Sequence, residues 1–209
     1  MIYFVLDACA LARIYFPDIG TRNLLQIYDY PGSKIFVPHI AYSETISVLI
    51  SALNQRLIDD NQYRLTKAGL SSDLLSGKIL SVEITDVHIS ASERLLEKHK
   101  RQPGKMKLGG ADTLYLALAL QLASSLQRFG GRVILVTSDN ALYNAALDES
   151  DIEAFHFWTC DLGCRCGTVW IPIKGSLQPP KLSNTCSSCG ATCESCGVER
   201  CPSGYQVSF

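Results

Sequence analysis

The chain has 209 residues, 47% of them hydrophobic and 19% charged, which suits one ordinary domain with a small appendage and excludes both two full-sized domains and a disordered polyelectrolyte. With 19 Lys and Arg against 20 Asp and Glu the net charge is -1, so a uniformly basic surface is excluded and any nucleic-acid contact has to come from a local patch. Asp7, Arg13 and Asp18 interrupt the apolar N-terminus, which therefore has neither the length of a membrane span nor the basic start of a signal peptide, and the expectation is a soluble cytoplasmic protein with no membrane partner.

In chain order, the first strand-like run is Ile2-Tyr3-Phe4-Val5-Leu6, continuous in apolar character as strands buried on both faces are. Further runs at residues 34–37, 79–84, 132–136 and, more weakly, 152–157 alternate with helical patterns at 40–57, 86–99 and 112–126. In the first of these helices Ile46, Leu49, Ile50, Leu53 and Leu57 form the expected apolar stripe. Alternation of this kind predicts an α/β fold with a mostly parallel central sheet of four or five strands. There is no internal repeat.

Cysteine usage divides the chain near Trp158. Cys160, Cys164, Cys166, Cys186, Cys189, Cys193, Cys196 and Cys201 lie in the tail, and only Cys9 precedes them. Residues 158–209 are rich in Gly, Ser, Pro and Cys and too poor in apolar side chains to build a core, so they need cross-links or metal. The expected organisation is a domain over 1–157 and a small metal-tied module over 158–209.

Four acids stand alone in apolar surroundings: Asp7, Glu44, Asp112 and Asp139 have no sequence neighbour for a local ion pair. Asp7 follows the first strand and Asp139 closely follows the strand at 132–136, so both are expected at the carboxyl edge of a parallel sheet, where ligand sites of open α/β sheets lie. Asp112 opens a helix after Gly109-Gly110, and Glu44 lies one turn into the helix after the second strand. Helix capping is the commoner role for an Asp at positions such as 7, 112 and 139. Glu44 resists that account, because its helical neighbours Ile40, Ala41, Ser47, Val48 and Ser51 are uncharged. Two carboxylates about 4 Å apart repel by roughly 4 kcal/mol at an effective dielectric of 20, so a cluster of ionised acids needs protons or a divalent cation. Oxygen donors favour one or two Mg²⁺ or Mn²⁺ ions, whose associated chemistry is phosphodiester hydrolysis.

The segments Val5-Leu6-Asp7-Ala8-Cys9-Ala10-Leu11, Tyr42-Ser43-Glu44, Gly110-Ala111-Asp112-Thr113-Leu114-Tyr115-Leu116-Ala117 and Val136-Thr137-Ser138-Asp139-Asn140-Ala141-Leu142 resemble the successive motifs of PIN-domain ribonucleases, with the VapC-type toxins of toxin–antitoxin modules the nearest likeness. The resemblance covers about the first 150 residues in the right order; Ala8-Cys9 replaces the small hydroxyl residue usual after the first acid. It implies a PIN-like three-layer fold and a metal-dependent endoribonuclease, a hydrolase leaving 5′-phosphate and 3′-hydroxyl ends. By the same analogy Asp7 and Asp139 hold the metal, Asp112 completes its shell directly or through water, and Glu44 orients or deprotonates the attacking water. Thr137 and Ser138 hydrogen-bond the carboxylates or the scissile phosphate. The likeness leaves tRNA, rRNA or mRNA open as substrates, and a cognate antitoxin and a homodimer open as partners.

Lys98, Lys100, Arg101, Lys105 and Lys107 form an acid-free basic stretch before the Asp112 turn. Beside a crevice they would hold RNA phosphates; a solvated loop is the default for such a run. In the tail, Cys186-Ser-Ser-Cys189-Gly and Cys193-Glu-Ser-Cys196-Gly have the form of zinc knuckles. With Cys160, Cys164, Cys166 and Cys201, the eight thiolates suffice for one or two Zn²⁺. Disulfides and an iron–sulfur cluster are the less favoured readings. His156 is a structural histidine or a substitute ligand, and Trp158, Trp170, Tyr205 and Phe209 serve either packing or base stacking. A zinc appendage after such a domain also resembles the PIN endonucleases that mature small-subunit ribosomal RNA. The contrasting reading is an idle PIN scaffold carrying an RNA- or protein-binding tail.

Overall fold

The computed structural model describes residues 1–16, 21–100 and 107–157. The cysteine tail and its expected zinc ligands lie outside the described residues, as do Arg101 and Lys105. Five strands, β1 (Ile2–Leu6), β2 (Ser33–Pro38), β3 (Ile79–Val82), β4 (Arg132–Thr137) and β5 (Glu153–His156), form one parallel sheet in the order β3-β2-β1-β4-β5. The expected α/β class and strand count are therefore observed. β1 lies at the centre because it is the most continuously apolar run; Phe4, Val5 and Leu6 are wholly buried, as are Ile134, Leu135 and Val136 of β4.

The chain first builds outward from β1, through α1 (Ala8–Tyr15) and α2 (Thr21–Tyr28) to β2, then through α3 (Ala41–Asn54) and α4 (Asp60–Leu75) to β3. It then returns through α5 (Asp86–Lys98) and α6 (Gly110–Leu126) to β4 on the other side of β1, and through α7 (Asn140–Leu147) to β5. The direction reverses between β1 and β4. With right-handed crossovers the two sets of helices cover opposite faces of the sheet, which gives the three layers. α1 packs on α2 and α3, while α6 packs on α5, α7 and the strands. α6 is apolar nearly all round, and Thr113 and residues 115–119 are buried, as befits a helix enclosed on several sides.

Local physics sets where the elements depart from the sequence pattern. β3 ends at Val82 rather than at residue 84, because the chain turns there into the cap of α5. The Nδ1 of His88 accepts the backbone N–H of Thr85 at 3.1 Å. α3 stops at Asn54; beyond it Arg56 has φ 58° and Ile58 folds back onto Leu49 and Ala52. Its fully buried residues are Ala41, Thr45, Leu49 and Ala52; of the expected stripe Leu49 is buried, Ile46 and Leu53 are half-buried against the core, and Ile50 and Leu57 are exposed. Small residues lie inward because α1 packs directly against this helix. α4 has no amphipathic signature to announce it. Its start is set by a capping box in which Asp59 accepts from the Gln62 N–H at 2.7 Å and Gln62 accepts from the Asp59 N–H at 2.9 Å.

α4 buries Leu70 in the main core with Leu74 packed beside it, and polar contacts add to this attachment. The hydroxyls of Tyr15 and Tyr28 both donate to Asp73 Oδ2 at 2.5 Å, and Lys78 Nζ lies over the Tyr28 ring. Gly69 lets the Tyr15 ring approach, since a Cβ there would stand 3.2 Å from it. Among the described residues no helix is long and apolar enough to cross a membrane.

Asp73→Ala leaves two half-buried tyrosine hydroxyls without their shared acceptor. A loss of about 2 kcal/mol of stability is expected in urea denaturation, with Asp73→Asn losing less.

Candidate active site

Parallel register fixes the first two acids. Leu6 pairs with Val136 across β1 and β4, and the Asp7 N–H continues the ladder to Val136 O at 3.1 Å. Asp7 therefore leaves the sheet beside Thr137, at the switch point where ligand sites of open parallel sheets form. It caps α1, its Oδ1 accepting the Ala10 N–H at 2.6 Å, while Oδ2 accepts the Thr137 hydroxyl at 2.5 Å. Thr137 Oγ1 in turn accepts the Asp139 N–H at 2.9 Å, and Asp139 caps α7 by accepting the Leu142 N–H at 2.8 Å. One buried threonine thus connects both acid-bearing turns.

Asp112 is not the helix cap expected from the sequence. It is the third residue of α6, and its Oδ2 reaches back to accept the Gly109 N–H at 3.1 Å. A carboxylate there is favoured by the unpaired amides of the first turn. The α6 N-terminus is secured from below by the buried pair Ser92 and Thr113, whose hydroxyls hydrogen-bond each other, and by Thr113 Oγ1 donating to Gly110 O at 2.7 Å. Glu44 stands in the first turn of α3, and its Oε2 accepts the hydroxyl of Tyr115 at 2.5 Å. The sequence gives no sign of this contact beyond the placement of Tyr115 three residues after Asp112, on the same helix face.

The acids are electrostatically one group. Asp7, 5% exposed, is pushed up to about 7, chiefly by burial and further by the charges of Asp112 and Asp139, against the opposing hydrogen bonds from Thr137 and Ala10. Asp112 is also raised, first by burial, then by Asp139 and Glu44. The Cys9 thiol is pushed up to about 12, chiefly by desolvation and then by the Asp7 carboxylate. The carboxylate donors are hard oxygens, whose mutual repulsion a hard dication would relieve. Among the described residues no group of three His, Cys, Asp or Glu side chains is gathered as a metal cage. The donor set suits an ion held by one or two carboxylates and water, the usual manner of Mg²⁺.

Other expected site residues fall elsewhere. Ser138 lies half-buried between Thr137 and Asp139. Lys98 Nζ pairs with Glu149 at 2.7 Å, and His99 Nε2 lies 3.2 Å from the same carboxylate. Glu149 follows the C-terminal end of α7, about 12 Å along that helix from its Asp139 cap, so Lys98 is engaged away from the acids. Lys100 and Lys107 are exposed, and Lys107 leads into the Gly109-Gly110 turn. His156 is buried on β5 opposite Thr137, with its ring edge-on to Tyr143 at 5.4 Å.

Because the folded-state pKa of Asp7 is raised, the folded protein binds the extra proton between about pH 4 and pH 7, and stability is lost as pH rises through that window. The thermal midpoint of the metal-free protein is expected to fall by about 5 °C more between pH 5 and pH 8 than that of Asp7→Asn. Equal pH profiles for the two proteins in differential scanning calorimetry would contradict the assignment.

The family model described as the PIN domain matches residues 4–147. A structure of FitAB bound to the IR36 DNA fragment is similar at 16% identity, with a TM-score of 0.51 over 76% of this chain and 97% of that one. VapBC2 from Rickettsia felis, bound to a DNA fragment from its promoter, is similar at 15% identity, with a TM-score of 0.47 over 74% of this chain and 98% of that one. Comparison with the curated proteins gave no match. With its five-stranded parallel sheet, and with the family's pattern matched over more than half its length, the chain belongs to the PIN domain family.

Proposed function

We propose that this protein is a Mg²⁺- or Mn²⁺-dependent endoribonuclease acting through Asp7, Glu44, Asp112 and Asp139. The observation that carries the reading is the buried Asp7 carboxylate, raised by its own burial and by two further acids, at the β1/β4 switch point. An anionic centre of this kind is costly unless it is used. PIN domains are generally nucleases that use divalent metals, and the chain belongs to that family.

Asp7 and Asp139, with Asp112 directly or through water, would hold the cation, which would supply charge neutralisation at the scissile phosphate and a more acidic water. Glu44 Oε1, opposite the oxygen bound by Tyr115, takes the proton of the attacking water. The water oxygen bonds to phosphorus, the P–O3′ bond breaks, and the ribose oxygen leaves as a 3′-hydroxyl after gaining a proton. Thr137 keeps Asp7 and the Asp139 turn in fixed relation while this happens. Lys100 and Lys107, with Arg101 and Lys105 in the same stretch, hold the phosphates of the strand; Lys98 contributes least, being paired with Glu149.

The motifs around the four acids support a VapC-type toxin, with an antitoxin as its protein partner. We assign the domain boundary near Trp158 and one or two Zn²⁺ to the cysteines of residues 158–209, on the knuckle spacing alone. Metal analysis of the purified full chain is expected to find about one or two zinc ions, lost when Cys186 and Cys189 are changed to Ser; a zinc-free protein with full activity would remove that assignment.

The direct test is cleavage of single-stranded RNA. Wild type is expected to cut with Mn²⁺ or Mg²⁺ and to stop with EDTA, and Asp7→Asn and Asp139→Asn to lose about a hundredfold or more in rate. Equal cleavage under all these conditions would reject the catalytic role.

A further inference from the structure

The Tyr115 hydroxyl is 2.5 Å from Glu44 Oε2, and Tyr115 is 2% exposed. Among the described residues it is the largest side chain almost wholly enclosed. Burial and the Glu44 carboxylate both raise its pKa far above the ordinary phenol value, so the tyrosine stays neutral and always presents a proton. The Asp7 carboxylate also acts on it, which places its hydroxyl within the acid group rather than in the distant core. Glu44, in contrast, is half-buried, on a long side chain with three rotatable bonds. Its neighbour Thr45 ties the start of α3 to α1 through a 3.5 Å contact to Ala8 O. The backbone is therefore placed, but nothing on α3 itself fixes the carboxylate.

We infer that Tyr115 is a positioning residue, which clamps Glu44 Oε2 so that Oε1 alone faces the reacting water. The inference rests on the nuclease reading above. It gives the two ends of one α6 turn separate tasks: Asp112 faces the cation and Tyr115 sets the proton acceptor. A tyrosine serves here because it donates one hydrogen bond from a rigid, buried ring and cannot compete for the cation as another acid would. Phenylalanine would fill the same volume and leave the Glu44 carboxylate free to turn toward solvent.

The experiment is steady-state RNA cleavage by the full chain with saturating Mn²⁺, comparing wild type, Y115F, E44Q and the double variant. Y115F is expected to lower kcat by about tenfold or more while KM and the Mn²⁺ concentration for half-maximal rate stay near wild type. In the E44Q background the same change is expected to have no further effect, because the group being positioned has gone. Equal kcat for Y115F and wild type, or multiplicative losses in the double variant, would overturn the inference while leaving the nuclease reading intact. No metal-dependent cleavage by wild type would instead remove the reading beneath it. Thermal midpoints monitor folding of Y115F. Should it fail to fold, E44D provides the second arm: a carboxylate one methylene shorter cannot reach both tyrosine and water, so its kcat should fall comparably, and wild-type kcat in E44D would overturn the clamp.

Discussion

A single buried carboxylate governs how this domain is put together. Asp7 ends the central strand, caps the first helix and accepts the hydroxyl of Thr137, which itself holds the turn carrying Asp139. Strand pairing, helix initiation and the convergence of acids are thus satisfied by one side chain with two oxygens. The same burial that makes those hydrogen bonds strong makes the ionised form expensive. Local folding and an ionised carboxylate pull in opposite directions at this position, a conflict that the proposed cation would relieve.

Capping and site formation turn out to be one arrangement rather than rival explanations. Asp7 and Asp139 are true N-caps, and that is why they point to the same place: each marks the turn from the carboxyl end of a strand into a helix, and β1 and β4 are neighbours in register. Asp112 arrives differently, from the first turn of α6, where its bond to Gly109 aims it back toward the helix end. These features follow from short-range chemistry, and the sequence displays them for that reason.

What the sequence did not display depends on distant pairing. Tyr115 sits in an apolar run and reads as core; only the approach of α3, 71 positions away, turns it into a partner of Glu44. Lys98 reads as part of a basic stretch until Glu149, 51 positions away, neutralises it. The buried face of α3 takes in Leu49, Ile46 and Leu53 of the apolar stripe but is extended by Ala41, Thr45 and Ala52, small residues that face inward where two helices touch closely and that a hydrophobicity pattern passes over. α4 escaped for a related reason: its apolar contacts are few, chiefly Leu70, Leu74 and Tyr63, and Asp73 with two tyrosines completes its attachment.

The link between Thr137 and Asp7 spans 130 positions. During synthesis on the ribosome, the early acid therefore waits, with its strand lacking one flank, until nearly the whole domain has emerged. Only the docking of β4 brings the late acid alongside. Hydrolytic competence would then arrive abruptly with the final stages of folding, and a truncated or partly opened chain would hold the pieces of the centre without its function.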